Sequence, residues 1–273
     1  MTRILTAAAG IPVLILAIWS PWPQVFAALA AIAGLIALSE FYALAHKVEI
    51  NPYELLGYTA SVIIAVCFML DHRPWIIFVF IATALVSLTL SVARTEEMSN
   101  SIASSSATLF GVAYIGLTVG CLIGVRMIAD SLTRPPTAHL ASKLLTMFFA
   151  MVMLTDTGAY YVGRSLGEHK LAPQVSPGKT IEGSIGGVVA AIASGPLCKL
   201  IFFHEIPLWH AIALGAAIGL VGQVGDLAES MLKRGSQVKD SGTLLPGHGG
   251  MLDRIDSILF CAPVLYYYSR LFL

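Results

Sequence analysis

Charge is what this sequence of 273 residues has least of: Asp, Glu, Lys and Arg together make up 12% of it. A soluble domain carries about 25% charged residues, because its surface must face water. Half that density cannot coat a soluble globule of this size. Net charge is missing too, with 16 basic residues against 16 acidic ones. No basic face is left to hold a nucleic-acid backbone, and nucleic acid is excluded as a partner. Cysteine is also scarce. Cys67, Cys121, Cys198 and Cys261 each lie in an apolar run, none within five residues of another and with no CxxC. They read as small buried hydrophobes and take no role. What is abundant is apolar: 57% of the residues, for a mean hydropathy of +0.81. Disordered chains are poor in such residues. The composition is that of a membrane protein, and its few charges become the informative positions.

A helix that crosses a bilayer needs about 20 predominantly apolar residues. Nine segments come near this: 4–20, 25–45, 53–70, 74–93, 106–129, 143–163, 182–203, 208–232 and 255–272. They predict an all-α, polytopic integral membrane protein with about nine transmembrane helices. The first follows Arg3 and could pass for a signal peptide. However, no small-residue cleavage site precedes a hydrophilic domain, and another apolar run follows at once, so a retained span is expected. Cytoplasmic loops are richer in Lys and Arg. With nine spans, one side holds Arg3, Lys47, Arg94, Arg164, Lys170, Lys179, Lys233, Arg234, Lys239 and Arg254. The other holds Arg73, Arg126, Arg134, Lys143, Lys199 and Arg270. Ten against six places the N-terminus in the cytoplasm.

No internal repeat suggests the inverted halves of a transporter. Gly120-x3-Gly124 and Gly215-x3-Gly219 suit close helix packing, within the chain or between copies. Composition shifts along the chain, and 17 of the 32 charges fall in 156–256. Residues 1–141 read as scaffold helices and 142–273 as the catalytic region, within one integral membrane unit.

Several carboxylates sit in or at the edge of apolar spans. Asp156 and Asp226 each lie about seven residues inside a cytoplasmic span end, a depth of about 10 Å. Asp253 and Asp256 open the ninth span on the same side. An ionisable group at membrane depth costs at least ~2.5–3.5 kcal/mol and needs a partner or a wet cavity. Asp226, Glu229, Ser230 and Lys233 share one helical face, as do Asp253 and Asp256. Carboxylates gathered at one depth repel, and a divalent cation relieves the repulsion. Such hard oxygen ligands suit Mg²⁺, which takes substrate phosphates as further ligands. The plainer alternative has Asp253 capping the ninth span and Glu229 pairing with Lys233.

Two loops add bases. Lys233, Arg234, Lys239 and Arg254 frame a segment that also holds Asp240, Gly242 and Gly247-His248-Gly249-Gly250. Fixed positive charge with flexible glycine describes a loop that can wrap polyphosphate. The second loop is Ser176-Pro177-Gly178-Lys179-Thr180 before Glu182-Gly183. Its Gly-Lys-Thr would close a P-loop, but that motif needs Gly where this chain has Pro173. A Ser, Lys and Thr cluster at a helix N-terminus remains a sound anion site.

The run Ser230-x-Leu232-Lys233-Arg234-x4-Lys239-Asp240-x-Gly242-x2-Leu245-Pro246-x-His248-Gly249-Gly250-Met251-x-Asp253-Arg254-Ile255-Asp256 resembles the signature of the CDP-diacylglycerol synthases (phosphatidate cytidylyltransferases). Ser176 to Gly183, Asp156 with Ala159-Tyr160, and Glu40-Phe41-Tyr42 are similar to other segments of that family. Gly178 departs from it, standing where many members have lysine. Length and short tails resemble the bacterial members, which implies a multi-pass protein of the inner membrane.

The resemblance implies a reaction: CTP and phosphatidic acid give CDP-diacylglycerol and pyrophosphate at the bilayer. It further implies catalytic roles for Asp226, Lys233, Asp253 and Asp256. Metal ligands would come from Asp156, Asp226, Asp253 and Asp256, holding Mg²⁺ and a second, monovalent cation such as K⁺. Ser176, Lys179, Thr180, Ser230, Arg234, Lys239, Asp240, His248 and Arg254 would contact CTP or its phosphates. A homodimer is a further family expectation. Two other readings compete. A CTP-dependent lipid kinase would need a base, and His248 is the candidate. A cation-coupled transporter would spread its acids through the membrane depth, whereas here they gather at one side.

Overall fold

The computed structural model describes residues 2–93, 100–128, 137–242 and 249–273, without the side chains of 2–9 and 93. Helices appear where apolar runs are long enough to bury every backbone group within one segment, which a bilayer demands. In chain order they are α1 (Thr2–Ile18), α2 (Pro23–His46), α3 (Glu54–Met69), α4 (Arg73–Ala93), α5 (Ser101–Gly111), α6 (Thr118–Arg126), α7 (Leu140–Leu166), α8 (Ile181–Ile201), α9 (Leu208–Gly235) and α10 (Leu252–Phe272). A π-helical turn, Val112–Leu117, joins α5 to α6 into one span, Ser101–Arg126. Counting that span once, the described residues hold nine helical rods at the nine expected places. Six are long and apolar enough to cross a membrane: α2, α4, the α5–α6 span, α7, α8 and α9. α1 and α3 are shorter, at 17 and 16 residues. The protein is thus all-α in its spans and polytopic. Val92 and Leu55 are 78% and 77% exposed, an arrangement suited to lipid rather than water.

One departure from the all-α expectation lies between α7 and α8. Strands β1 (Lys170–Ala172) and β2 (Ser176–Thr180) form an antiparallel hairpin, pairing Lys170 with Thr180 and Ala172 with Ser176. The expected loop is therefore a braced ribbon. Glu182, in the first turn of α8, holds its base by accepting from the N–H groups of Glu168 and His169 and from His169 Nδ1.

The chain divides into two compact units. The first, Met1–Met127 with Leu232–Ile255, is built on α2 to α6. Tyr42 is fully buried there, and its hydroxyl donates to the Thr108 carbonyl at 3.3 Å. Thr108 in turn accepts the Tyr53 N–H on its hydroxyl at 2.8 Å. Phe41, Phe110 and Tyr114 stack beside the π turn.

The second unit is Ile128–Met231 with Asp256–Leu273. In it α7 and α8 pack backbone to backbone. A Cβ on Gly187 would lie 2.8 Å from the Thr155 carbonyl oxygen, and one on Gly158 2.9 Å from that of Gly186. Three glycines of the two pairs noted in the sequence meet neighbours inside the chain. Gly215 and Gly219 abut Ala191 of α8, and Gly120 abuts Phe68 of α3. They give no support to a dimer.

Candidate active site

In the second unit, the hairpin, α7, α8 and α9 enclose a cavity of about 380 Å³. Asp156 of α7, Lys179 and Thr180 of β2, and Asp226 of α9 line it. Residues from three separate stretches of the sequence, each singled out there, thus meet in one place. Lys179 Nζ lies 2.5 Å from Asp226 Oδ2, with both side chains partly exposed. Lysine is there because β2 runs straight into the N-terminus of α8. Thr180 caps that helix, its hydroxyl accepting the Gly183 N–H at 3.1 Å. The cavity therefore offers an ammonium, a helix N-terminus and two carboxylates.

The helix ends run further than the apolar spans. Asp156 sits ten residues before Leu166, and Asp226 nine before Gly235. At 1.5 Å per residue these are depths of about 15 and 13 Å. Wall residues outside the sequence expectation are Tyr160, Arg164, Ser184 and Gln223. Arg164 donates to the Tyr160 hydroxyl at 2.9 Å. Gln223 donates to the Ser184 carbonyl at 2.9 Å and accepts that serine's hydroxyl, which ties α9 to α8 one turn before Asp226. Only Tyr160 carried a sequence signal, next to Ala159.

Asp256 belongs to the same unit. It is 9% exposed, and its Oδ1 accepts the Ser257 N–H at 2.6 Å. Gly225 packs on this turn, since its Cβ would fall 3.0 Å from the Asp256 carbonyl oxygen. Asp226 and Asp256 thus stand on touching helices. Ser176 lies on β2 and Ser230 on α9, both half-buried and neither lining the cavity. Glu229 is fully buried.

The first unit gathers a second cluster. Lys233 Nζ lies 2.6 Å from Asp253 Oδ1, with the two side chains only 14% and 7% exposed. Lys233 thus pairs with Asp253, a partner that the plainer sequence alternative did not name. Asp253 Oδ2 accepts from the Ser241 N–H (2.9 Å), the Ser241 hydroxyl (3.0 Å) and the Gly250 N–H (2.8 Å). Asp253 therefore braces the loop as well as opening α10. The bond to Gly250 ties down the chain just ahead of α10 and does not cap that helix's own first N–H groups, the role that the plainer sequence reading gave Asp253.

Lys233 is set by how α9 ends. Gln237 adopts φ of 57°, the Val238 N–H donates to the Lys233 carbonyl and the Gln237 N–H to that of Arg234. This is a Schellman closure with glutamine in the left-handed position where glycine is usual. The Ser236 hydroxyl then anchors the turn to the Leu44 carbonyl at 3.1 Å. Arg234, Lys239, Asp240 and Arg254 are exposed around this loop. His248 lies outside the described residues.

Oxygen-rich carboxylates are the donor class that Mg²⁺ takes, and it typically needs only one or two from protein when phosphates supply more. The pair Asp156 and Asp226 fits that requirement. Among the described residues, no group of three or more His, Cys, Asp or Glu forms a ready-made cation cluster.

A bundle of apolar helices with a lysine-bearing hairpin and two lysine–aspartate pairs agrees with the sequence match. Residues 1–272 match the model of the Cytidylyltransferase family. The chain belongs to that family. Curated relatives include a "Phosphatidate cytidylyltransferase" of Bacillus subtilis (strain 168), 48% identical over 47% of this chain and 49% of that protein. One of the same name from Staphylococcus saprophyticus is 39% identical over 68% of this chain and 66% of its own. Another, from Staphylococcus aureus (strain COL), is 36% identical over 86% of both. The chain thus spans from about half to most of the length of the cytidylyltransferases it matches.

Proposed function

We propose that this cytidylyltransferase transfers the cytidylyl group of CTP to phosphatidic acid, giving CDP-diacylglycerol and pyrophosphate for phospholipid synthesis. The observation that carries this reading is the cavity in which Lys179 faces Asp226 beside Asp156, at the N-terminus of α8. It is an anion site set in apolar helices, in a chain whose curated relatives carry the name phosphatidate cytidylyltransferase.

The chemistry asks little of a base. A phosphomonoester has its second pKa near 6, so phosphatidate is largely a dianion at neutral pH. One of its oxygens attacks the α-phosphorus of CTP. The new O–P bond forms as the bond to the β-phosphate oxygen breaks, and pyrophosphate leaves. Positioning and charge neutralisation then supply the rate. Lys179 and Lys233, freed from their carboxylates by incoming phosphate, would stabilise the leaving pyrophosphate. Arg234, Lys239 and Arg254 would add charge around it, with Ser176, Thr180, Ser230, Asp240 and His248 as further contacts.

Asp156, Asp226, Asp253 and Asp256 would hold Mg²⁺, with K⁺ as the second cation that family resemblance implies. Bound there, Mg²⁺ would neutralise triphosphate charge. The working form would have about nine spans, a cytoplasmic N-terminus and a place in the bacterial inner membrane. A homodimer rests on family resemblance alone.

The test is purified protein in detergent with phosphatidic acid, CTP and Mg²⁺. CDP-diacylglycerol and pyrophosphate should appear in equal amounts and vanish on chelation. Product formation that ignores EDTA would remove the metal from the proposal, and no CDP-diacylglycerol at all would remove the reaction.

A further inference from the structure

The N-terminus of α10 brings no cap of its own. Met251, just before Leu252, has no side-chain oxygen, yet the first N–H groups of a helix must find acceptors. They find them on a distant helix. The Met251 N–H donates to Glu40 Oε1 at 2.9 Å and the Leu252 N–H to Glu40 Oε2 at 2.8 Å. Glu40 sits in α2, some 211 positions away in sequence, and is 7% exposed. A carboxylate at a helix N-terminus is favoured by the helix dipole, and bonds to an ionised acceptor are the stronger kind.

Ser241 joins this cap to Asp253. Its Oγ lies 3.0 Å from Glu40 Oε2 and 3.0 Å from Asp253 Oδ2. A hydroxyl has one proton, so it serves one carboxylate at a time and couples the two. The residues on either side of 243–248 also fit closely around Glu40. A Cβ on Gly242 would lie 2.5 Å from Glu40 Oε1, and one on Gly250 2.4 Å from Glu40 Oε2. Two of the loop's glycines thus stand where any side chain would strike this carboxylate.

We propose that Glu40 is a positioning residue for cytidylyl transfer: it fixes the first turn of α10 and so aims Asp253 and the Lys233 paired with it. This rests on the reading that those two residues serve the reaction. Glu40 touches backbone and Ser241, so it acts through the turn it holds.

The variants are Glu40→Gln, Gly242→Ala and Ser241→Ala, measured by steady-state kinetics and by hydrogen exchange of the 249–253 amides. Glu40→Gln is expected to lower kcat at least tenfold, with KM for phosphatidic acid within twofold, and to speed exchange at Met251 and Leu252 at least tenfold. In a Ser241→Ala background its effect on kcat should persist at tenfold or more, because the bonds from the Met251 and Leu252 N–H groups to Glu40 remain to be lost. An effect under threefold there would overturn the route through the α10 turn. Gly242→Ala, which keeps the carboxylate but displaces it, should lower kcat in the same direction and covers the case in which Glu40→Gln does not fold. Unchanged exchange would overturn the proposal whatever reaction the protein performs. Faster exchange with unchanged kcat would reduce Glu40 to a structural cap and overturn it equally. A wild-type protein that makes no CDP-diacylglycerol would fail the proposed reaction instead, leaving the exchange result to judge the cap.

Discussion

At the residue scale, two lysine–aspartate pairs of different character stand out. Lys179 and Asp226 are partly exposed, at 25% and 36% of their side chains, whereas Lys233 and Asp253 are at 14% and 7%. An exposed pair is worth ~0–1 kcal/mol, while breaking a buried one costs ~3–5 kcal/mol by leaving a charge without its partner. Asp226→Asn is therefore expected to fold normally, with a melting temperature near that of wild type, while losing activity about 10²-fold or more. Asp253→Asn should lose both, because its carboxylate also accepts three bonds from the 241–250 loop. Thermal melting in detergent beside the product assay separates the two. Equal melting temperatures would contradict the difference in burial. Lys179→Met should lower kcat by ~10²–10³-fold, the usual cost of losing one preorganised charge partner, and kinetics at saturating CTP would show it. Asp226 was legible in the sequence because a charge inside an apolar run is conspicuous, and Lys179 because it stands in a Ser, Lys and Thr cluster ahead of a helix. Glu40 was equally conspicuous, but its role was not. Its partners are backbone N–H groups, and no residue pattern encodes those.

At the scale of elements, the nine helical rods were readable from apolar length alone, to within a few residues at most ends. Their caps were not. Ser176-Pro177-Gly178-Lys179-Thr180 has no alternation of apolar and polar residues, so β2 gave no strand signal. Its pairing depends on Glu182 holding the base of the hairpin. The π turn at Val112–Leu117 likewise has no local signature.

Two substitutions probe these elements. Gly187→Ala would drive a methyl against the Thr155 carbonyl. It should push α8 off α7, cost ~1–3 kcal/mol as overpacking does, and reduce activity by displacing a cavity wall. Gln237→Gly should do the reverse at the end of α9. It relieves a left-handed residue whose cost is ~1–2 kcal/mol, less the greater freedom of glycine in the unfolded chain. A rise in melting temperature with kcat unchanged is expected, and a fall would contradict the Schellman assignment.

At the scale of the whole molecule, the low charge content that marks the chain as a membrane protein also makes the places where charges gather informative. More than half of the charges fall in 156–256, the stretch from the later part of α7 to the start of α10. The sequence alone could not show how they sort: a cavity around Asp156, Lys179 and Asp226 in one unit, and a capped turn around Lys233, Asp253 and Glu40 in the other. The helices of 1–141 were read as scaffold, and Glu40 makes one of them part of the second cluster. The nine proposed spans would put the two termini on opposite sides of the membrane. Reporter fusions at Leu273 and ahead of Arg3 should therefore give opposite signals, and matching signals would break the span count. The reaction itself is tested most directly by following two labels of CTP through one assay with phosphatidic acid. The α-phosphate label is expected in the lipid and the γ-phosphate label in pyrophosphate, in equal amounts. A γ-label in the lipid would identify a kinase and contradict the account.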